Sequence, residues 1–350
     1  MRESSCSSAR PTPEKRLGEK LKAESALRHP SFDELRAIDV FSAARRLREV
    51  AERTALERSG ALSEIAGGDV WLKCEHRQKT GSFKLRGAFN AIAALPKQVR
   101  ERGVIASSAG NHGLGVAFAA KHFGIPATIF VPRAAPEVKR RGIESLGATV
   151  DSTSSDYDAA MVLAKRVAAE RGLSFINPCN GRDMIAGQGT VALEIIDEMP
   201  EIAMLIVPVG GGGLLAGIGS LLRRVAPHVR IAGAQSVNTA AMARSIEASR
   251  VVPIESVQTL ADGLAGDIDE FALEAGQRSL DELVTLSERE IGDAIVWLAK
   301  QEVGRVEGSG AVGVAAVLGR KLSEVRTPAV IVVSGGNIDR ERHEGLMRGT

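Results

Sequence analysis

The residues best suited to chemistry begin with Gly210, Gly211, Gly212 and Gly213, which run straight from the apolar stretch MLIVPV (204–209) into LLAGIGSLL. Bare backbone N–H groups at a helix start, where the helix carries partial positive charge, form a cradle for an anion, foremost a phosphate. No Lys-Ser/Thr pair follows, so this is not a P-loop. Gly211, Gly213 and Ala216 also fit the G-x-G-x-x-A dinucleotide fingerprint, but the next strand ends at Gln235, where a ribose-binding acid belongs. The plain alternative is a tight turn without ligand, against which stands the entropy lost in ordering four glycines.

A second loop, Thr80-Gly81-Ser82-Phe83-Lys84-Leu85-Arg86-Gly87-Ala88, follows the strand-like VWLKC (70–74). Most lysines are solvated surface charges. Lys84, however, is bracketed by Phe83 and Leu85 among small residues, which predicts burial, and burial lowers a lysine pKa and frees the amine for imine formation. An imine-forming lysine near a phosphate cup is the pair that pyridoxal 5'-phosphate requires. A third loop, Ser107-Ser108-Ala109-Gly110-Asn111-His112-Gly113, offers N–H groups, a hydroxyl and an amide to a carboxylate or phenolate oxygen. His112 reads first as a buried, hydrogen-bonded imidazole rather than a proton carrier. The fourth, Ser334-Gly335-Gly336-Asn337 after PAVIVV, puts a hydroxyl at a sheet edge and alone would be an ordinary turn.

The elements that must position these loops are short β-branched runs at 70–74, 103–107, 127–132, 148–152, 173–177, 204–209, 230–235 and 328–334. Helical stretches separate them. Continuous apolar strands between helices predict parallel strands covered on both faces. The fold class is α/β with two doubly wound, mostly parallel sheet domains, one of them discontinuous. The expected division is a solvated extension over residues 1–37, a large cofactor-binding domain over 38–100 plus 178–340, a small domain over 101–177 and a tail at 341–350. Ligands should collect at the carboxyl ends of the strands.

Composition narrows the partners. With 45 Lys+Arg against 43 Asp+Glu the formal net charge is only +2, and 3% aromatics leave few rings for base stacking, so neither nucleic acid nor a membrane surface is expected. A small-molecule partner is. Three cysteines, Cys6, Cys74 and Cys179, give no disulfide framework or CxxC pair, which fits a reducing, cytoplasmic setting. Residues 1–30 lack the apolar core of a secretory signal.

Taken together, the four loops resemble the tryptophan-synthase-β-like, fold type II family of pyridoxal-phosphate enzymes, and within it the threonine/serine dehydratases, with serine racemase as a near relative. The resemblance runs from Ile38 to Asn337 and includes IAGQGTVALEI (185–195) and VEGSGAVGVAAVL (306–318). It implies that Lys84 forms the imine with the cofactor, that Gly210 to Gly213 hold its phosphate, that Asn111 bonds the 3′-oxygen and that Ser334 faces the pyridine nitrogen. It also implies that Phe83 packs beside the ring, that Glu307 lies near it, and that Ser82, Ser108, Ala109, Gly110 and His112 grip the substrate. The implied reaction is elimination of water from a β-hydroxy amino acid, giving a 2-oxo acid and ammonia, by a homodimer. A hydroxyl opposite the pyridine nitrogen cannot hold it protonated as a carboxylate would, which favours β-elimination over a long-lived carbanion.

Several departures from the family pattern refine this expectation. Ala109 stands where serine racemases carry a hydroxyl acid/base, so racemisation is expected to be weak. Gln235 and Ala241 stand where the racemase-like branch carries divalent-cation carboxylates, so no divalent metal is expected there, while a monovalent ion stays open. The usual Glu-Pro reads Glu307-Gly308 here, and the 13 residues after Asn337 leave no room for the regulatory domain of biosynthetic threonine dehydratases. The alternatives are a dehydratase of hydroxyaspartate or a bulkier β-hydroxy amino acid, a β-replacement enzyme, and an NAD-binding oxidoreductase using Gly211–Ala216.

Overall fold

A computed structural model describes residues 31–255 and 257–349. The extension expected over 1–37, and Cys6 with it, thus lies outside the described residues up to position 30. The ten strands are β1 (Leu56–Arg58), β2 (Val70–Lys73), β3 (Val104–Ser107), β4 (Ala127–Pro132), β5 (Thr149–Ser154), β6 (Ser174–Phe175), β7 (Met204–Pro208), β8 (Arg230–Ser236), β9 (Glu282–Leu286) and β10 (Ala329–Val332). They form a six-stranded sheet in the order β1-β2-β10-β7-β8-β9 and a four-stranded sheet in the order β5-β4-β3-β6. Every pairing is parallel except β1 with β2. Expected and observed strands agree within two residues, while β1 and β9 are additional.

Side-chain alternation explains why both faces of the larger sheet are covered. Met204 and Ile206 of β7 and Ala329 and Ile331 of β10 enter one apolar cluster, with the helix Gly308–Leu318. Their neighbours Leu205, Val207, Val330 and Val332 enter the opposite cluster, with the helices Arg182–Glu198 and Gly213–Val225. A strand turns successive side chains to opposite faces, so an unbroken apolar run needs helices on both sides. In the smaller sheet, Ile105 and Phe130 pack on Ala160, Ala164 and Ala168, whose i, i+4 spacing lines one face of the helix Tyr157–Arg171.

Two results correct the expected division. Phe32 and Leu35 are buried against Ile185, Ala216 and Phe271, so the side chains at these two positions belong to the core, while Asp33, Glu34 and Arg36 are exposed. The helix Lys84–Ala94, assigned to the large unit, also sends Leu85, Ala88, Phe89 and Ile92 into the cluster that covers β3 and β4. That helix therefore bridges the two sheets.

Candidate active site

The strand order places three of the four loops side by side. β2 leads to Lys84, β10 to Ser334 and β7 to the glycines, and these strands are adjacent and parallel. Their carboxyl ends open at one edge. The backbone stitches the first two loops together: Phe83 N–H donates to Ser334 O at 3.1 Å, Gly336 N–H to Gly81 O at 2.9 Å and Glu307 N–H to Gly335 O at 3.1 Å. Lys84 opens its helix, and its Nζ donates to Pro178 O at 2.8 Å, lies 3.7 Å from Cys179 Sγ and sits 5.3 Å from the Phe83 ring centroid. Burial of Lys84 is partial, which corrects the expectation of a buried amine.

Cys179 joins this amine to the glycine loop. A Cβ on Gly211 would fall 2.7 Å from Cys179 Sγ, and Gly212 has φ +82°, a left-handed conformation that only glycine adopts without strain. The helix Gly213–Val225 starts there. Among the described residues nothing accepts a hydrogen bond from the backbone N–H groups of Gly210 to Gly213. Four free donors at the positive end of a 13-residue helix make an anion seat. Gly211→Val should fill that seat against Cys179. Cofactor dissociation constants are expected to rise at least about tenfold, which a loss of about 1.4 kcal/mol of binding gives, with an unchanged circular dichroism spectrum. Equilibrium titration with the cofactor checks this.

The third loop arrives from the smaller sheet. Asn111 begins the helix Asn111–Phe123; its Nδ2 donates to Glu307 Oε1 at 2.7 Å, and its Oδ1 accepts from Asn337 Nδ2 at 2.6 Å. One amide hydrogen stays available on the Asn111 Nδ2 atom. Ser334 is buried, with its hydroxyl 3.3 Å from Ser309 O.

Burial, together with the negative charge of Asp262, pushes the Glu307 carboxyl up to about 7, against the opposing Asn111 hydrogen bond. A carboxyl that ionises near pH 4.5 when unfolded and near 7 when folded loses stability as pH rises through that window. Glu307→Gln should therefore match the parent at pH 5 in the cofactor-free chain and exceed it at pH 8 by on the order of 2–3 kcal/mol. Urea unfolding at the two pH values measures the difference.

The remaining expected residues divide. Ser82 is fully buried and its hydroxyl has no partner among the described residues, an orphan that a ligand would satisfy. Ser108 and Gly110 form a tight turn, with Gly110 N–H donating to Ser108 Oγ at 3.2 Å, and Ala109 is half-buried beside it. His112 departs from a substrate-gripping side chain: its ring is buried, its Nε2 meets Ile176 O at 2.9 Å, and burial plus the Lys84 charge press its pKa down to about 3. A neutral ring fastened to the strand edge cannot serve as an acid near neutrality.

Two features escaped the sequence reading. One is the pair Pro178 and Cys179, for which the unpaired cysteine was the sole hint. The other is a buried charge cluster two residues beyond Lys84. Arg86 is fully buried and bonds Glu75 through Nε and an Nη at 2.8 Å each, and Glu194 at 2.6 and 2.9 Å. Lys73 completes it, 2.6 Å from Glu194.

The family described as pyridoxal-phosphate dependent enzymes matches residues 47–335. The chain belongs to this family. Within the family it is 46% identical over 305 residues to an L-threonine ammonia-lyase of Thermotoga maritima, covering 86% of this chain and 75% of that one. Among solved structures, maize serine racemase superposes with a TM-score of 0.85 at 33% identity, covering 90% of this chain and 97% of that one. The processed threonine deaminase isoform 2 of Solanum lycopersicum gives 0.83 at 30% identity, covering 89% and 86%. Pyridoxal phosphate is the cofactor of this family, and the residues present fit it. An amine stands across Cys179 from an anion seat of free N–H donors, with an orphaned buried hydroxyl in the adjoining loop.

Proposed function

We infer that this chain is a pyridoxal-phosphate-dependent ammonia-lyase that removes the β-hydroxyl of threonine or serine to release a 2-oxo acid and ammonia. The observation that carries this reading is the meeting of the Lys84 amine and the Gly210–Gly213 loop across Cys179. Lys84 would carry the cofactor, the glycine N–H groups would bind its phosphate, Asn111 would donate its remaining amide hydrogen to the ring oxygen, and Ser334 would meet the ring nitrogen. Bound there, the cofactor supplies an electron sink that weakens the Cα–H bond of an amino acid.

The chain's own groups then divide the work. Lys84 Nζ, which donates to the Pro178 carbonyl, would accept the Cα proton as general base. Glu307, carrying its proton up to about pH 7, can face Asn111 without adding a full negative charge to the site. The N–H groups of the Ser108–Gly110 turn and the Ser82 hydroxyl would orient the substrate carboxylate. Ala109 offers no proton to the opposite face of the substrate, which favours elimination over racemisation. The dinucleotide reading loses support because the Gln235 amide turns inward, 3.4 Å from Val209 O and 3.3 Å from Thr239 O.

No helix among the described residues is long and apolar enough to cross a membrane, and Cys74 and Cys179 are free thiols, in keeping with the proposed cytoplasmic setting. A homodimer is proposed with it. Exposed Ile38 and Phe41 border a groove of about 600 Å³ beside Arg86, an apolar edge a second subunit could cover. The function is tested by following 2-oxo acid release from L-threonine, L-serine and hydroxyaspartate, and D-serine formation from L-serine. Release from threonine and serine with little D-serine is expected. Turnover of hydroxyaspartate alone would contradict the substrate assignment.

A further inference from the structure

We propose that the ion pair between Lys139 and Asp262 is a latch that closes the substrate cleft, with Lys139 as a positioning residue that acts through the turn Asp262–Leu264. The inference rests on the reading of the site given above and adds a closing element to it. Lys139 lies on the helix Glu137–Ser145, which packs beside the smaller sheet, and its Nζ is 3.0 Å from Asp262 Oδ2. Among the described residues this is the one ion pair joining residues 104–177 to the rest of the chain. Other hydrogen bonds from that unit into the site involve Asn111 and Asn177, whose Oδ1 accepts from the Cys179 and Asn180 N–H groups at 2.9 Å each.

The turn that Lys139 holds touches both halves of the cofactor site. A Cβ on Gly210 would lie 2.8 Å from Leu264 Cα, so Leu264 backs directly on the phosphate loop. A Cβ on Gly263 would lie 2.8 Å from Ser309 Oγ and 3.8 Å from Glu307 Oε1, so the same turn covers the Glu307 end. Its root is fixed to the start of the helix Glu288–Lys300, because Thr259 Oγ1 donates to Glu288 Oε1 at 2.7 Å. Asp262 itself is exposed and reaches the other way, towards Lys139. One end of the turn is thus anchored and the other is held across the cleft by a half-exposed charge pair. Such a pair adds little to static stability and is screened by salt. Two states of similar free energy, open and closed, are what so small a bias can shift. Both charges also reach Glu307, Asp262 raising its pKa and Lys139 lowering it.

The test uses holoenzyme and three variants: Lys139→Met, Asp262→Asn, and the exchanged pair Lys139→Asp with Asp262→Lys. Each single variant is expected to raise KM for L-threonine about three- to tenfold while kcat changes less than about twofold. Added sodium chloride should raise KM in the parent and leave it flat in the single variants, and the exchanged pair should restore most of the parental KM. Hydrogen exchange of residues 137–145 and 262–264, read on holoenzyme without substrate, should quicken in the single variants and slow again in the exchanged pair. Exchange rates that do not change in the single variants would overturn the latch, as would an exchanged pair that restores nothing. If no amino acid of the panel is turned over, the proposed reaction fails, while hydrogen exchange still judges the latch.

Discussion

Lys84→Ala is expected to abolish the absorption band of the lysine–cofactor imine and, with it, 2-oxo acid release. Loss of proton transfer alone accounts for about 10²–10⁴-fold, and loss of the covalent attachment adds to it. The variant should fold, because Lys84 is only partly buried, makes its polar contact with a main-chain carbonyl and occupies the first position of a helix. Alanine is the strongest helix former at such a site. Cofactor should still bind weakly through the glycine loop, whose free N–H groups do not depend on the amine. Absorption spectra and steady-state assays of the same preparation check both parts, and activity within tenfold of the parent would exclude Lys84 from the reaction.

Arg86→Ala is the second large effect, and it is a loss of stability. Arg86 is fully buried between Glu75, itself fully buried, and Glu194, with Lys73 balancing the second carboxylate. Two cations and two anions cancel as a set. Removing the guanidinium strands an uncompensated carboxylate in the interior, a change that costs about 3–5 kcal/mol where one partner of a buried pair is lost. Of an ordinary stability of about 5–15 kcal/mol this is a large share. The first turn of the Lys84 helix should loosen with it. Urea denaturation of the parent and of Arg86→Ala measures the loss. A midpoint shift worth less than about 1 kcal/mol would show that the cluster is dispensable.

Much of the cleft was legible in the sequence because its loops carry residues that few other functions explain. The run Gly210–Gly213 after an apolar strand announces an exposed backbone, and β7 and α-helical Gly213–Val225 flank it as read. The parallel order followed from apolar runs such as VIVV and MLIVP, whose alternate side chains do enter opposite clusters. By contrast β1 spans three residues and pairs antiparallel, too short to show a period, and the ELVTL of β9 begins with a charge whose carboxylate is occupied by Arg230.

The buried cluster was invisible for a different reason. Glu194 lies 108 residues from Arg86 in the chain, and each of Glu75, Arg86 and Glu194 looks like a solvated surface charge until the fold brings them together. Cys179 and Asp262 likewise acquire meaning from what lies across the cleft. His112 shows the reverse case, since a side chain that looks chemical serves to fasten the helix Asn111–Phe123 to Ile176.

The most direct measurement is to reduce the holoenzyme with borohydride, which fixes the cofactor to whichever amine carries it, and to locate the added mass by peptide mapping. The account predicts that the mass sits on Lys84 alone, with the neighbouring Lys73 and Lys79 unmodified. Modification of another lysine with Lys84 left free would contradict it.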